Sequence, residues 1–185
     1  MKPGSFQEKI LIGKLRLKDK TAFEQLYDLY IDKIYRFIYF KVSNVSDAED
    51  LTSQTFLKIW QLVLEGKIKG GQSFQAFLYK VARNIVIDSY RISRKREGTV
   101  SLDEAMNIAD AHTVEQEVGE KMEKEEIEAR LKKLKREYQE VIILHYLNEL
   151  SIKEIADILD KKKGNIRVMI HRALKALKDE NLNLE

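Results

Sequence analysis

Almost nothing in this sequence can stop a helix. One proline and eight glycines stand among 185 residues. Proline breaks an α-helix by removing a backbone donor and clashing with the preceding turn, and glycine weakens one through its backbone entropy. The residues that replace them are rich in Leu, Ile, Lys, Glu and Ala, all good helix formers or tolerated ones. An apolar content of 44% supports real cores, and 34% charged residues is high without being a signature of disorder. The length allows one ordinary domain or two small ones.

Cysteine is absent, which excludes disulfide staples and thiolate metal sites and fits a reducing cytoplasm. Residues Met1 to Ile10 lack the apolar centre of a signal peptide, and apolar runs such as Val141 to Leu144 are far too short to span a bilayer. The chain is expected to be soluble and cytoplasmic, without a membrane span.

Charge is distributed unevenly. Nine acids and two lysines lie between Asp103 and Glu126, while Lys161 to Lys178 holds seven bases and no acid. A smaller basic patch, Arg91, Arg94, Lys95 and Arg96, precedes the acidic stretch. Two basic segments separated by an acidic one suggest two anion-binding surfaces on a tether.

Apolar periodicity predicts the elements. A first helix begins near Thr21, where Thr21 and Glu24 form a capping-box pattern, and carries Phe23, Leu26, Tyr27, Tyr30, Ile31, Ile34, Tyr35, Phe37 and Ile38. Ser43 to Ser46 interrupts it. Ser46 and Glu49 form a second box, opening a helix with Leu51, Thr55, Leu57 or Phe56, Ile59 and Trp60 that runs to about Leu64. Gly66, Gly70 and Gly71 mark a loop. Ser73 caps a third helix, with Phe74, Phe77, Leu78, Val81, Ile85 and Val86 on one stripe, ending near Arg96. Residues 98–120 lack periodicity and read as an acidic linker. Helical pattern resumes from Lys121, through Ile127, Leu131, Leu134, Tyr138, Val141 and Ile142, to a turn at Asn148 to Ser151.

The last forty residues are the most specific. Ser151 and Glu154 form a third capping box, opening a short helix with Ile155, Ala156, Ile158 and Leu159. Asp160 to Lys163 breaks the rhythm, and after Gly164 a second helix carries Ile166, Ile170, Ala173, Leu174 and Leu177 on one face. The small Ala156 suits the close approach of two steeply crossing helices. The opposite face carries Asn165, Arg167, His171, Arg172 and Lys175. This is the pattern of a helix-turn-helix, whose second helix enters the major groove. Arg167 can pair with guanine and Asn165 with adenine, while Lys161, Lys162 and Lys163 would clamp phosphates at the groove edge. The competing reading is an amphipathic hairpin with a solvated basic face.

Together these segments resemble the sigma-70 superfamily, specifically its small extracytoplasmic-function group, over about residues 20–96 and 122–178. Asp47-Ala48-Glu49-Asp50-Leu51 through Phe56-Leu57-Lys58-Ile59-Trp60 is similar to the segment that grips a coiled coil of the polymerase's largest subunit. Phe77 to Asn84, with Asp88-Ser89-Tyr90-Arg91, is similar to the segment that reads and melts the −10 element. Ser151 to Ala156, with Gly164 to Arg167 and His171 to Ala173, resembles the reader of the −35 element. The order of the three matches the family's.

The resemblance implies an all-α fold of two small helical domains joined by a flexible acidic linker: residues 1–97, 98–120 and 121–185, the last a four-helix domain containing the helix-turn-helix. It implies a sigma factor that confers promoter recognition and initiation in response to stress or another signal. Its partners would be core RNA polymerase, through the largest-subunit coiled coil and the flap, promoter DNA and an anti-sigma factor, and the free protein would be a monomer. Polymerase contacts fall on Asp47, Glu49, Asp50, Phe56 and Trp60. Contacts to the −10 element fall on Arg83, Asn84, Asp88, Tyr90, Arg91, Arg94 and Lys95.

Several of these residues have a plainer reading. Phe74, Phe77, Tyr79 and Trp60 fit a core, Asp88 fits an ion pair with Arg91 one turn on, and Asp47 and Glu49 fit helix capping. Some positions depart from the family pattern. Phe77 stands for tryptophan, Ser53 for glutamine, Lys135 for a frequent proline and Gln139 for a frequent arginine. Val168 and Met169 replace a Ser-Arg pair, removing a basic contact.

No enzyme is expected. His112, His145 and His171 are scattered, His145 reading as a packed residue, and no Gly-rich phosphate loop or nucleophile elbow is present. No cofactor and no metal are expected. The rival readings are a self-contained helix-turn-helix regulator binding DNA as a dimer, and a helical interaction module without DNA function.

Overall fold

The computed structural model describes residues 4–68, 73–97, 130, 131 and 133–178, the side chains of 94–97 excepted. The expected linker 98–120, Ile127, and Gly70 and Gly71 lie outside the described residues. The chain divides into two compact units, Met1–Asp110 and Ala111–Glu185. Among the described residues every regular element is helical.

The first unit contains α1 (Phe6–Arg16), α2 (Lys20–Val42), α3 (Val45–Leu64) and α4 (Phe74–Glu97). Helix α2 is the hub, packing against the other three. Leu26, Tyr30, Ile34, Phe37 and Ile38 from α2 are all buried, and Ile59 and Val63 of α3 and Leu78, Tyr79 and Ala82 of α4 are buried with them. The Tyr79 ring meets Phe37 edge-on at 5.1 Å, and Phe74 meets Tyr30 at 5.9 Å. Phe74 and Tyr79 are therefore core, and burial raises the Tyr79 phenol far above its ordinary pKa.

Helix α1 was not expected from the sequence. Only Leu11, Leu15 and Glu8 of its eleven residues are buried, too thin a stripe to register as periodic. What fastens it is polar: the buried Glu8 carboxylate accepts from the Tyr30 hydroxyl at 2.5 Å and from the backbone N–H of Gly4. A buried carboxylate of this kind is tolerated only when hydrogen-bonded.

Two helix starts differ from the sequence reading. Helix α2 is capped by Asp19, whose Oδ1 accepts from Ala22 N–H at 3.0 Å, so Thr21 lies inside the first turn. Helix α3 is capped by Asn44, which accepts from Asp47 N–H at 3.0 Å, so Ser46 is also helical. In each case a short polar side chain upstream of the expected Ser or Thr satisfies the orphan N–H groups first. The expected Ser73 cap on α4 is present, its Oγ accepting from Ala76 N–H at 3.2 Å.

The second unit holds α5 (Arg136–Ile142), which continues as a π-helical turn over Ile143–Leu147, then α6 (Ile152–Leu159) and α7 (Lys163–Lys178). The pattern expected to run unbroken through Leu134 is interrupted, because Lys135 is extended (ψ 138°) and serves as the N-cap of α5. The π turn is closed by Asn148, whose backbone N–H and side-chain Nδ2 both donate to the Ile143 carbonyl at 3.0 Å. Leu150, in the expected turn, is buried, and its carbonyl lies 2.9 Å from Nδ1 of His145. Helices α5 and α6 both pack on α7.

Candidate nucleic-acid interface

The interface is built from the cap of α6 upward. Ser151 Oγ accepts from Glu154 N–H at 3.3 Å, while Glu154 Oε2 accepts from Ser151 N–H at 2.9 Å and from its hydroxyl at 2.7 Å. This reciprocal box fixes where α6 begins. Asp160 ends the helix in the left-handed conformation (φ 52°), and its N–H and that of Lys161 both reach the Ala156 carbonyl. Asp and Asn tolerate this conformation better than most residues. Asp160, Lys161 and Lys162 form the turn, and α7 starts at Lys163, inside the segment expected to break the rhythm.

Helix α7 is divided cleanly. Ile166, Met169, Ile170 and Ala173 are buried. Asn165, Arg167, His171, Arg172 and Lys175 are all exposed, as are Lys162 and Lys163. The helix contains no acid. Of the lysine run, Lys161 is partly engaged, its Nζ 3.8 Å from the Glu137 carboxylate of α5. The residues expected at base edges and phosphates thus share one solvent-facing surface, with Lys161 at its margin. The two departures Val168 and Met169 part company in the structure of α7. Met169 lies on the buried face, so replacing a basic residue there alters the core side of the helix, whereas Val168 is exposed.

On α4, Asn84, Asp88 and Arg91 are exposed at i, i+4 and i+7, and Arg83 is half-buried. Asp88 Oδ1 is 3.3 Å from Arg91, so the ion-pair reading holds: this carboxylate restrains Arg91 and, being anionic, is no phosphate contact itself. The Tyr90 hydroxyl donates to the Lys41 carbonyl at the end of α2 at 2.5 Å, so its polar tip is committed to the fold. Arg94 and Lys95 belong to the last turns of α4, their side chains outside the described residues.

Along α3, Asp47, Glu49 and Asp50 are exposed. Tyr35 of α2 has its pKa raised by partial burial and then by the charge of Glu49. Phe56 and Trp60 do not share that exposure. Phe56 is 5% exposed with its ring 4.6 Å from Tyr27, and Trp60 is half-buried with its ring 4.9 Å from Phe23. Phe56 as a direct contact is therefore corrected: it supports the α3 surface from beneath. The large apolar residues of α3 that do face solvent are Val45 at its start, Leu57, and Leu64 two turns after Leu57. In the sequence, Leu57 and Phe56 are alternatives for the core, because adjacent residues are only about 100° apart on a helix.

Comparison with known proteins covers both units. The family model described as Sigma-70 region 2 matches residues 26–96, and the one described as Sigma-70, region 4 matches residues 124–177. Among curated proteins, the extracytoplasmic-function RNA polymerase sigma factor SigW of Bacillus subtilis is 31% identical, over 91% of this chain and 94% of that protein. The sigma factor BldN of Streptomyces coelicolor is 32% identical over 90% of this chain, which spans only 63% of BldN's length. Among solved structures, CnrH in complex with the cytosolic domain of CnrY has a similar fold (TM-score 0.66, 21% identity, 92% of this chain and 94% of that one). So does RpoE of Bartonella quintana, in complex with the anti-sigma factor NepR (TM-score 0.65, 21% identity, 84% of this chain and 94% of that one).

Proposed function

Since the chain belongs to the sigma-70 superfamily, as an RNA polymerase sigma factor of the extracytoplasmic-function type, we propose that its two units hold the two elements of one promoter while docked on core polymerase. The observation that carries this reading is α7: an exposed basic face, free of acids, presented behind a capped helix and a three-residue turn. Its early residues Asn165 and Arg167 meet base edges of the −35 element, with His171 and Arg172 beside them. Lys162, Lys163 and Lys175 neutralise phosphates, and Lys161 joins them when it leaves Glu137.

The first unit has two tasks. The acids Asp47, Glu49 and Asp50 face a basic surface of the polymerase's largest subunit, with exposed Leu57 as an apolar contact and the Trp60 edge beside it. Opening the duplex costs a few kcal/mol of unstacking, which stacking on aromatic rings offsets by about 1–3 kcal/mol per base. Arg83 and Asn84 meet the opened strand, and Arg91, with Arg94 and Lys95, holds its backbone. Tyr90 positions this end of α4 through its bond to Lys41.

Residues 1–97 and 121–185 are assigned to these tasks, with 98–120 as tether. The flap is a second polymerase contact, for the second unit. An anti-sigma factor, present in the solved RpoE complex, is proposed as the regulator of this chain too, and the free protein is a monomer. Work with the polymerase places it in the cytoplasm, and catalysis belongs to the polymerase. Among the described residues no helix is long and apolar enough to cross a membrane.

Run-off transcription with purified core polymerase and a library of promoter fragments tests the proposal. Discrete start sites that require both protein and core are expected. Tight specific binding to an inverted repeat without polymerase would instead indicate a dimeric regulator, and no association with core or DNA would leave an interaction module.

A further inference from the structure

The exposed face of α7 contains one residue that does not fit a surface of charges. Val168 is 48% exposed, between Asn165 at i−3 and His171 and Arg172 at i+3 and i+4. The apolar residues of α7 that serve the core, Ile166, Met169, Ile170 and Ala173, all lie on the opposite side. A lone exposed apolar residue is ordinary on a protein surface. Here its address is not ordinary: it lies in the first half of the second helix of a helix-turn-helix, the part that reaches base edges.

We propose that Val168 reads the C5-methyl group of a thymine in the −35 element. The inference rests on the reading of α7 as the groove helix. Valine has no donor or acceptor, so the polar edges of guanine, adenine and cytosine offer it nothing. The thymine methyl is the apolar group that the major groove presents. A β-branched residue in a helix is held almost entirely in one χ1 rotamer, so the two methyl groups of Val168 are presented in a fixed place. Discrimination runs both ways. Thymine gains an apolar contact, whereas a polar base edge pressed against valine loses water without a replacement partner. The exposed cations around Val168 (Arg167, Arg172 and Lys175) hold the duplex against it, and no acid on α7 opposes them.

The test uses the full chain with core polymerase. A −35 element is first selected from a randomised promoter library by the wild-type holoenzyme. Synthetic promoters are then made in which thymines of that element alone are replaced, one at a time, by deoxyuridine, which removes only the methyl. Holoenzyme affinity at fixed salt is the readout. Wild type is expected to lose about fourfold at one or two adjacent positions, the value of one buried methyl group. Val168→Ala, at an exposed helical position where alanine folds well, is expected to lose that sensitivity and to accept other bases there. A selected element without thymine, a wild type indifferent to every replacement, or a Val168→Ala variant as sensitive as wild type would overturn the proposal. Arg172→Ala separates the two levels. If it weakens binding while thymine and deoxyuridine are equivalent, only the Val168 assignment falls; if it too has no effect, the groove reading of α7 falls with it.

Discussion

Helices α4 and α7 both end in cations, and they hold them in opposite ways. Near the end of α4, among the described side chains, Arg91 is paired with Asp88, and Tyr90 is bonded to the last turn of α2. On α7 the bases stand on a face with no acid in the helix, and among the described residues only Lys161, in the turn, reaches a carboxylate. Under the proposed function, the difference suits two kinds of DNA. A duplex arrives with its groove already formed, so a rigid, uncommitted face can dock directly. A strand that must be unstacked is better met by groups whose positions the fold has fixed beforehand.

The largest effect is expected where the α7 face is anchored. Ile166→Ala, at a fully buried site, should cost the second unit about 2–5 kcal/mol in urea unfolding. A loss under about 1 kcal/mol would mean that α7 is not held rigidly.

Arg167→Ala should leave stability unchanged, reduce transcription from the cognate promoter, and relax preference at one base pair by about 1–3 kcal/mol. Unchanged transcription would remove Arg167 from the readout.

Asp50→Lys reverses an exposed charge on α3 and should weaken binding to core about tenfold or more in a pull-down titration, with the circular dichroism spectrum intact. Normal core binding would count against the docking face.

Tyr90→Phe deletes the hydroxyl that reaches Lys41 and should destabilise the first unit by about 1 kcal/mol. If promoter opening changes and stability does not, the end of α4 is as uncommitted as α7 and the contrast fails.

The smallest effect belongs to Asp88→Asn. Both members of the pair are mostly exposed, so stability should move by no more than about 0.5 kcal/mol. With Arg91 already on the strand's backbone, loss of Asp88 should leave the salt slope of DNA binding within less than about one phosphate contact of wild type.

The helix-turn-helix was legible because its signals are local. A capping box, a small residue at Ala156, a break in the rhythm at Asp160 to Lys163 and a 3.6-residue apolar rhythm each lie within a few residues of one another. Membership in the family was equally legible, from three short segments in order. Burial was less so. The family resemblance puts Phe56 on a docking face, whereas the fold buries it, because periodicity fixes a stripe only to within about one residue's rotation. A neighbour distant in sequence decides it: the Tyr27 ring covers Phe56.

What the sequence determined by itself is the helical character, the order of the segments and the charge of each face, since these depend on residue type and spacing alone. Tertiary structure decided what is available for binding. It added α1, held through Glu8 and Tyr30, covered Phe56 with Tyr27 and bound Tyr90 to Lys41. Each of these depends on which groups meet across helices, and a hydrogen bond spanning 22 or 49 residues leaves no local trace in the chain.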